Sequence, residues 1–207
     1  MHYDPPTPPE MGLRGLRELR ESGSLPPAAS TISDFNETMI ALFLDVNCFR
    51  RAMSDSRGEW EKRLFGRHLA LVLYEGFDDM AALLPAATRN FALSRTAEAA
   101  NARQRLRELR ISLDTLRRKY AADLEPVRHA AAAHRDHDIR RFHDAVDSLD
   151  LQRLEVAATD FLTWTTTVGC TVMALLLRYS GVQTCLAEHL EAHADYIVSV
   201  MSPNPNW

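Results

Sequence analysis

Apolar positions along this chain recur at steps of three and four, the spacing that lines one face of a helix. Phe35, Met39, Leu42, Phe43, Val46 and Phe49 form the first such set. They predict a helix from Asp34 to about Ser54, with Asp34 and Glu37 at the spacing of a capping box. Gly58 marks a break. Trp60, Leu64, Leu71, Leu73, Phe77, Met80 and Leu84 predict a second helix from about Glu59 to Leu84, ended by Pro85. Leu106, Leu109, Leu113 and Leu116 draw the stripe of a third, from about Thr96 to Tyr120. A fourth is expected to start at Asp123 as N-cap, with Pro126 in its first turn, and to reach about Val146 with a break near "HRDHD". "DSLDLQRLE" restarts a helix capped by Asp147 or Ser148, which runs to about Gly181, and a last helix covers about Val182 to Met201. No period-two strand pattern and no internal repeat interrupts the series.

The pattern therefore predicts an all-α protein, an up-and-down bundle of about five to six helices over residues 34–201. Residues 1–33 read as a disordered, Pro-rich tail: six of the ten prolines lie there, Pro5, Pro6, Pro8, Pro9, Pro26 and Pro27. Residues 202–207 form a C-terminal tail. The stretch "GLRGLRELRESGS" carries arginines where an export signal would be apolar. "FLTWTTTVGCTVMALLL", Phe161 to Leu177, is the one long uncharged run, 17 residues with five threonines and a glycine. It sits at the short edge of a membrane span and fits better as a helix buried on all sides, so no membrane partner is expected.

Composition changes this picture little. Over 207 residues, 46% hydrophobic and 25% charged content suits a globular domain with one core. The net charge of −4 excludes a global field that gathers nucleic acid, so any such contact needs a local patch. One candidate patch is the segment from Ala86 to Tyr120, with nine basic residues against three acidic. Cys48, Cys170 and Cys185 have no metal-binding or redox spacing and read as small buried hydrophobes in a cytoplasmic protein. His189 and His193 stand one helical turn apart, but no carboxylate or cysteine pattern joins them, so no metal or other cofactor is expected. Glu75, Asp78 and Asp79 in "YEGFDDM" offer carboxylates without a pattern of their own.

The chemistry concentrates in "LEPVRHAAAAHRDHDIRRFHD", Leu124 to Asp144. Arg128 and His134 are separated by His129 and the four alanines Ala130 to Ala133. Guanidinium is suited to gripping phosphate oxygens, and imidazole to moving a proton near neutral pH. Alanine is the side chain that lets a second helix come close. Six residues on a regular helix turn through about 240°, so the two groups do not share a narrow face within one helix. Either the long arginine reaches across a helix that loosens after Ala133, or, the preferred account, packing of a second copy against the alanines brings two Arg–His pairs around one cleft.

"RHAAAAH" resembles the signature of the HEPN superfamily (higher eukaryotes and prokaryotes nucleotide-binding domains): an arginine, then Asn, Asp or His, then small or apolar residues, then histidine. Arg128, His129 and His134 match these positions, and "AHRD", Ala133 to Asp136, is similar to the abortive-infection branch. The resemblance implies a helical bundle, a homodimer and a metal-independent endoribonuclease of a toxin or antiviral defence system. Arg128 and His134 would be catalytic and His129 would bind substrate. RNA would be the substrate, and a cognate antitoxin or regulatory protein a further partner. Toxins controlled by a nucleotidyltransferase antitoxin often carry a tyrosine two residues after the histidine, where this chain has Asp136. Other members of the superfamily are non-catalytic modules that bind nucleotide, RNA or protein, and that is the alternative function.

Overall fold

The structure, a computed structural model, describes residues 27–90, 97–135 and 139–179, together with positions 14, 17, 18 and 21. The described chain is all-α, with no strand. Its elements are α1 (Pro27–Asp55), α2 (Glu59–Asn90), α3 (Ala97–Arg135), α4 (Ile139–Asp147) and α5 (Leu151–Tyr179). The helix expected over residues 182–201 and the C-terminal tail lie outside the described residues, as does most of the N-terminal tail. No described helix is long and apolar enough to cross a membrane.

Side-chain contacts fix the direction of each helix. Gly66 meets Met53 and Gly76 meets Leu42, so α1 and α2 are antiparallel. Arg128 reaches Tyr74 and Arg117 reaches Asp78, which makes α2 and α3 antiparallel. The pairs Arg153–Asp123, Lys119–Asp160 and Trp164–Leu109 do the same for α3 and α5. Arg50–Glu155 and Met39–Gly169 close the ring between α1 and α5. Phe77–Phe161 and Gly66–Leu151 show α2 and α5 running parallel across the diagonal. The result is an up-and-down arrangement of four long helices, with α4 packed on α3 and α2.

The core takes up part of each stripe that the periodicity drew, while Leu42, Phe49, Leu64, Leu71, Leu109 and Leu116 are only partly buried. Phe35, Met39, Phe43 and Val46 from α1 meet Leu69, Leu73, Phe77, Met80 and Leu84 from α2. Leu106, Leu113, Tyr120, Leu124 and Val127 come from α3, and Leu154, Phe161, Leu162 and Val168 from α5. Burying each large side chain contributes about 1.5–3 kcal/mol. Phe77 and Phe161 meet edge to face, with ring centroids 5.0 Å apart.

Several expected boundaries move. Helix α1 begins at Pro27, so Asp34 lies inside the helix and is not its N-cap; its carbonyl accepts the Thr38 hydroxyl. Glu37, the expected reciprocal partner of that cap, instead receives the Arg17 guanidinium. Helix α2 continues through Pro85 to Asn90, and α3 through Pro126 to Arg135. Proline inside a helix removes one hydrogen bond and costs about 3 kcal/mol. At Pro126 the alternative would be to expose a continuous buried stripe, Tyr120, Leu124 and Val127, that spans it. Alanines 121 and 122 favour helix across the same junction. The expected third and fourth helices are therefore one as far as Arg135, and Asp123 is not a cap. Helix α5 is capped by Asp150, whose Oδ1 accepts the Arg153 amide at 3.0 Å, rather than by Asp147 or Ser148.

The described side chains of the uncharged run in α5, residues 161–172, are buried on one side only. Phe161, Leu162, Trp164, Thr165 and Val168 face the core, while Thr163, Thr167 and Cys170 are exposed. The hydroxyls of Thr159, Thr163, Thr167 and Thr171 each donate to the carbonyl four residues back. Cys48 and Cys170 are exposed thiols rather than buried ones; their neighbours Val46, Asn47 and Val168 take the inward positions. Cys185 lies outside the described residues. Trp60, expected on the apolar side of α2, is half exposed and leans on the His143 ring at 5.5 Å.

Candidate functional site

The C-terminal part of α3 carries Arg128, His129 and His134. Leu124 and Val127 are buried, which turns the next two positions outward, and Arg128 and His129 are exposed. Arg128 does not extend freely. Its Cζ lies 5.0 Å from the centroid of the Tyr74 ring, and its Nη1 donates to the Tyr74 hydroxyl at 3.3 Å. Tyr74 is half-buried on α2, directly after the fully buried Leu73. The position of Arg128 is thus set by a second helix that the core holds in place.

His129 Nε2 lies 3.5 Å from Glu125 Oε1, one turn back on the same helix. The contact becomes an ion pair only when the imidazole is protonated. The backbone of His134 belongs to α3; its side chain, and those of Ala130 to Ala133, lie outside the described residues. Because α3 stays helical to Arg135, His134 follows Arg128 by about 9 Å along the axis and about 240° around it. One protomer therefore brings Arg128 against Tyr74, with His129 turned to Glu125, and does not place His134 on the face of Arg128.

Tyr74 was not legible as a site residue. A tyrosine at core spacing beside Leu73 and Phe77 reads as packing. Its neighbours drew attention as carboxylates, yet Asp78 is paired with Arg117 across the α2–α3 seam, and Glu75 and Asp79 are exposed. The basic segment is also partly neutralised. Arg105 pairs with Glu108, Arg117 with Asp78 and Lys119 with Asp160. Arg118 Nε donates to the Asp114 carbonyl of its own helix. Arg107 and Arg110 are exposed on the same helix.

A second polar cluster joins α3 to α5. Asp160 accepts from the Tyr120 hydroxyl at 2.6 Å and from Lys119 Nζ at 2.8 Å. Burial alone would raise the Asp160 carboxyl, but these two hydrogen bonds and the ammonium charge outweigh it and hold the carboxyl below its usual range. Burial and the same hydrogen bond push the Tyr120 hydroxyl up. Arg153 lies over the Tyr120 ring at 5.7 Å and donates to Asp123 at 2.6 Å. A cavity of about 250 Å³ opens beside this cluster, lined by Asp123, Pro126, Val127, Leu149 and Arg153 among others. Elsewhere, Arg63 caps the end of α4 by donating to the Val146 and Asp147 carbonyls at 3.2 and 2.7 Å. His68 stacks on Phe49 at 5.4 Å, and burial, with Arg67 beside it, lowers its imidazole below the usual value. His137, His189 and His193 lie outside the described residues.

No protein-family model matches the chain, and no curated protein or solved structure matches it either.

Proposed function

We propose that this chain is a metal-independent endoribonuclease of the HEPN type, acting in the cytoplasm as part of a toxin or abortive-infection defence system. The observation that carries the reading is Arg128: a guanidinium exposed on α3, backed by Tyr74, at the head of the run "RHAAAAH". Arg128 grips the non-bridging oxygens of a phosphodiester and offsets the charge that grows on them. His129 contacts the phosphate or orients it. His134 moves the proton. The 2′-oxygen bonds to phosphorus as the bond to the 5′-oxygen breaks. The 2′-hydroxyl loses its proton and the 5′-oxygen gains one, leaving a cyclic phosphate and a free 5′-hydroxyl. Two copies pack through Ala130 to Ala133, so that Arg128 of one protomer and His134 of its partner share a cleft. A cognate antitoxin or regulatory protein restrains the activity.

A second reading has one observation in its favour. The helix through Arg135 is unbroken, so a single copy leaves Arg128 and His134 about 240° apart. A chain that does not pair would then be a non-catalytic HEPN-like module for nucleotide, RNA or a protein partner. Purified protein incubated with total RNA in the presence of chelator separates the two. Cleavage by the native chain and none by Arg128→Ala or His134→Ala, at matched circular dichroism, supports the enzyme. Equal cleavage by all three assigns the signal to contamination and leaves the binding module.

A further inference from the structure

We propose that Tyr74 is a positioning residue for the phosphate-binding group of this site; the inference rests on reading Arg128 as that group. An exposed arginine ordinarily samples many rotamers and must give up that freedom when it binds. Arg128 has given up part of it already. The Tyr74 ring lies under its Cζ at 5.0 Å and the Tyr74 hydroxyl accepts from Nη1 at 3.3 Å. The two contacts act on different parts of the guanidinium. The ring attracts the cation through its face, and the hydroxyl fixes rotation in the plane, through a bond at the long end of the useful range. Among the described residues one of the five guanidinium N–H donors is engaged, by the Tyr74 hydroxyl, and a bidentate grip on two phosphate oxygens needs only two of the others.

The platform itself is stiff. Tyr74 follows Leu73, which has no exposed surface, and precedes the core residue Phe77 by one turn. Four residues beyond Tyr74, Asp78 holds Arg117 of α3, so the α2–α3 seam is pinned on the side of Tyr74 away from Arg128. The arrangement is preorganisation: the entropy of placing the arginine is lost on folding rather than on binding RNA. Because a phenylalanine keeps the ring, the two contacts can be tested separately.

The experiment has two arms. The first is independent of RNA: NMR of the Arg128 side chain, assigned by loss in Arg128→Lys, in native protein, Tyr74→Phe and Tyr74→Leu. The expected result is an upfield ring-current shift in native and Tyr74→Phe that disappears in Tyr74→Leu. The second arm measures binding of an oligoribonucleotide made uncleavable by 2′-O-methylation. Tyr74→Leu should weaken it about fivefold and Tyr74→Phe about twofold. In an Arg128→Ala background Tyr74→Leu should have no further effect, which a merely structural role would not produce. Absence of the ring-current shift in native protein, or additive losses in the double variant, overturns the role of Tyr74 while leaving the ribonuclease reading untouched. Native protein that neither binds nor cleaves RNA overturns that reading and the role of Tyr74 with it, even where the ring-current shift shows the contact itself to be real.

Discussion

Gly76→Ala should destabilise the native protein yet stabilise a variant in which Phe161 is shortened. A glycine inside a helix costs about 1 kcal/mol relative to alanine, so the substitution begins with that gain. Here the new methyl would stand 3.1 Å from Phe161 Cζ and 3.3 Å from Leu42 Cδ2. The ring cannot retreat easily: Phe161 is fully buried and meets Phe77 edge to face at an interplanar angle of 83°. Overpacking of this kind costs about 1–3 kcal/mol, which cancels or exceeds the helical gain. Phe161→Leu removes the Cζ atom, the nearer of the two obstacles, and leaves Leu42, a flexible side chain, as the other. The cycle of Gly76→Ala, Phe161→Leu and the double variant should therefore show a favourable coupling of about 1–3 kcal/mol. Urea unfolding at constant slope measures it. A Gly76→Ala gain of the full helical value in the native background, unchanged with Phe161→Leu, would refute the claim that α2 and α5 touch at this point.

The remaining predictions concern charge and association. The folded Asp160 carboxyl lies below the ordinary carboxylate value of 3.8, so its stabilisation is present above that pH and is lost as pH falls through the folded value. Asp160→Asn should lower stability by about 1 kcal/mol near neutrality and flatten the acid limb of urea midpoints against pH; parallel limbs would exclude the cluster as their source. His68 is shifted below 6.5, so the unfolded chain takes up that proton first and stability falls as pH drops below about 6.5. His68→Phe should keep the stacking on Phe49 and remove this dependence, which denaturation at pH values on either side of 6.5 will show. Ala131→Leu or Ala132→Leu should shift a native dimer towards monomer in light scattering, and a monomeric native chain at micromolar concentration would sink the paired-helix cleft.

How far the sequence could be read depends on which interaction decided each feature. Stripes such as Leu69, Leu73, Phe77, Met80 and Leu84 are set by burial, and burial writes itself as periodicity. Helix ends are set by a contest between local breakers and tertiary packing. Pro126 lost that contest because the apolar stripe continued past it to Val127, whereas α2 runs through Pro85 to Asn90 with Leu84 as its last buried apolar side chain among the described residues. Asp34 lost its capping role because the preceding residues, from Pro27, were already helical. Arg128 stood out because an arginine followed by His129 and four alanines has little to do in a core. Tyr74 stayed hidden because its partner is 54 residues away, and a through-space stacking contact leaves no trace in local spacing.

The threonine stripe of α5 has a chemical consequence for where an anionic polymer can lie. A threonine hydroxyl has one proton to donate. Thr159, Thr163, Thr167 and Thr171 each give theirs to a carbonyl of their own helix, over 2.8–2.9 Å. What these hydroxyls still offer is lone pairs, which attract donors and repel phosphate oxygens. A surface that looks hydroxyl-rich in the sequence is proton-exhausted in the fold, and a nucleic acid backbone would find its hydrogen-bond donors on the arginines of α3 instead.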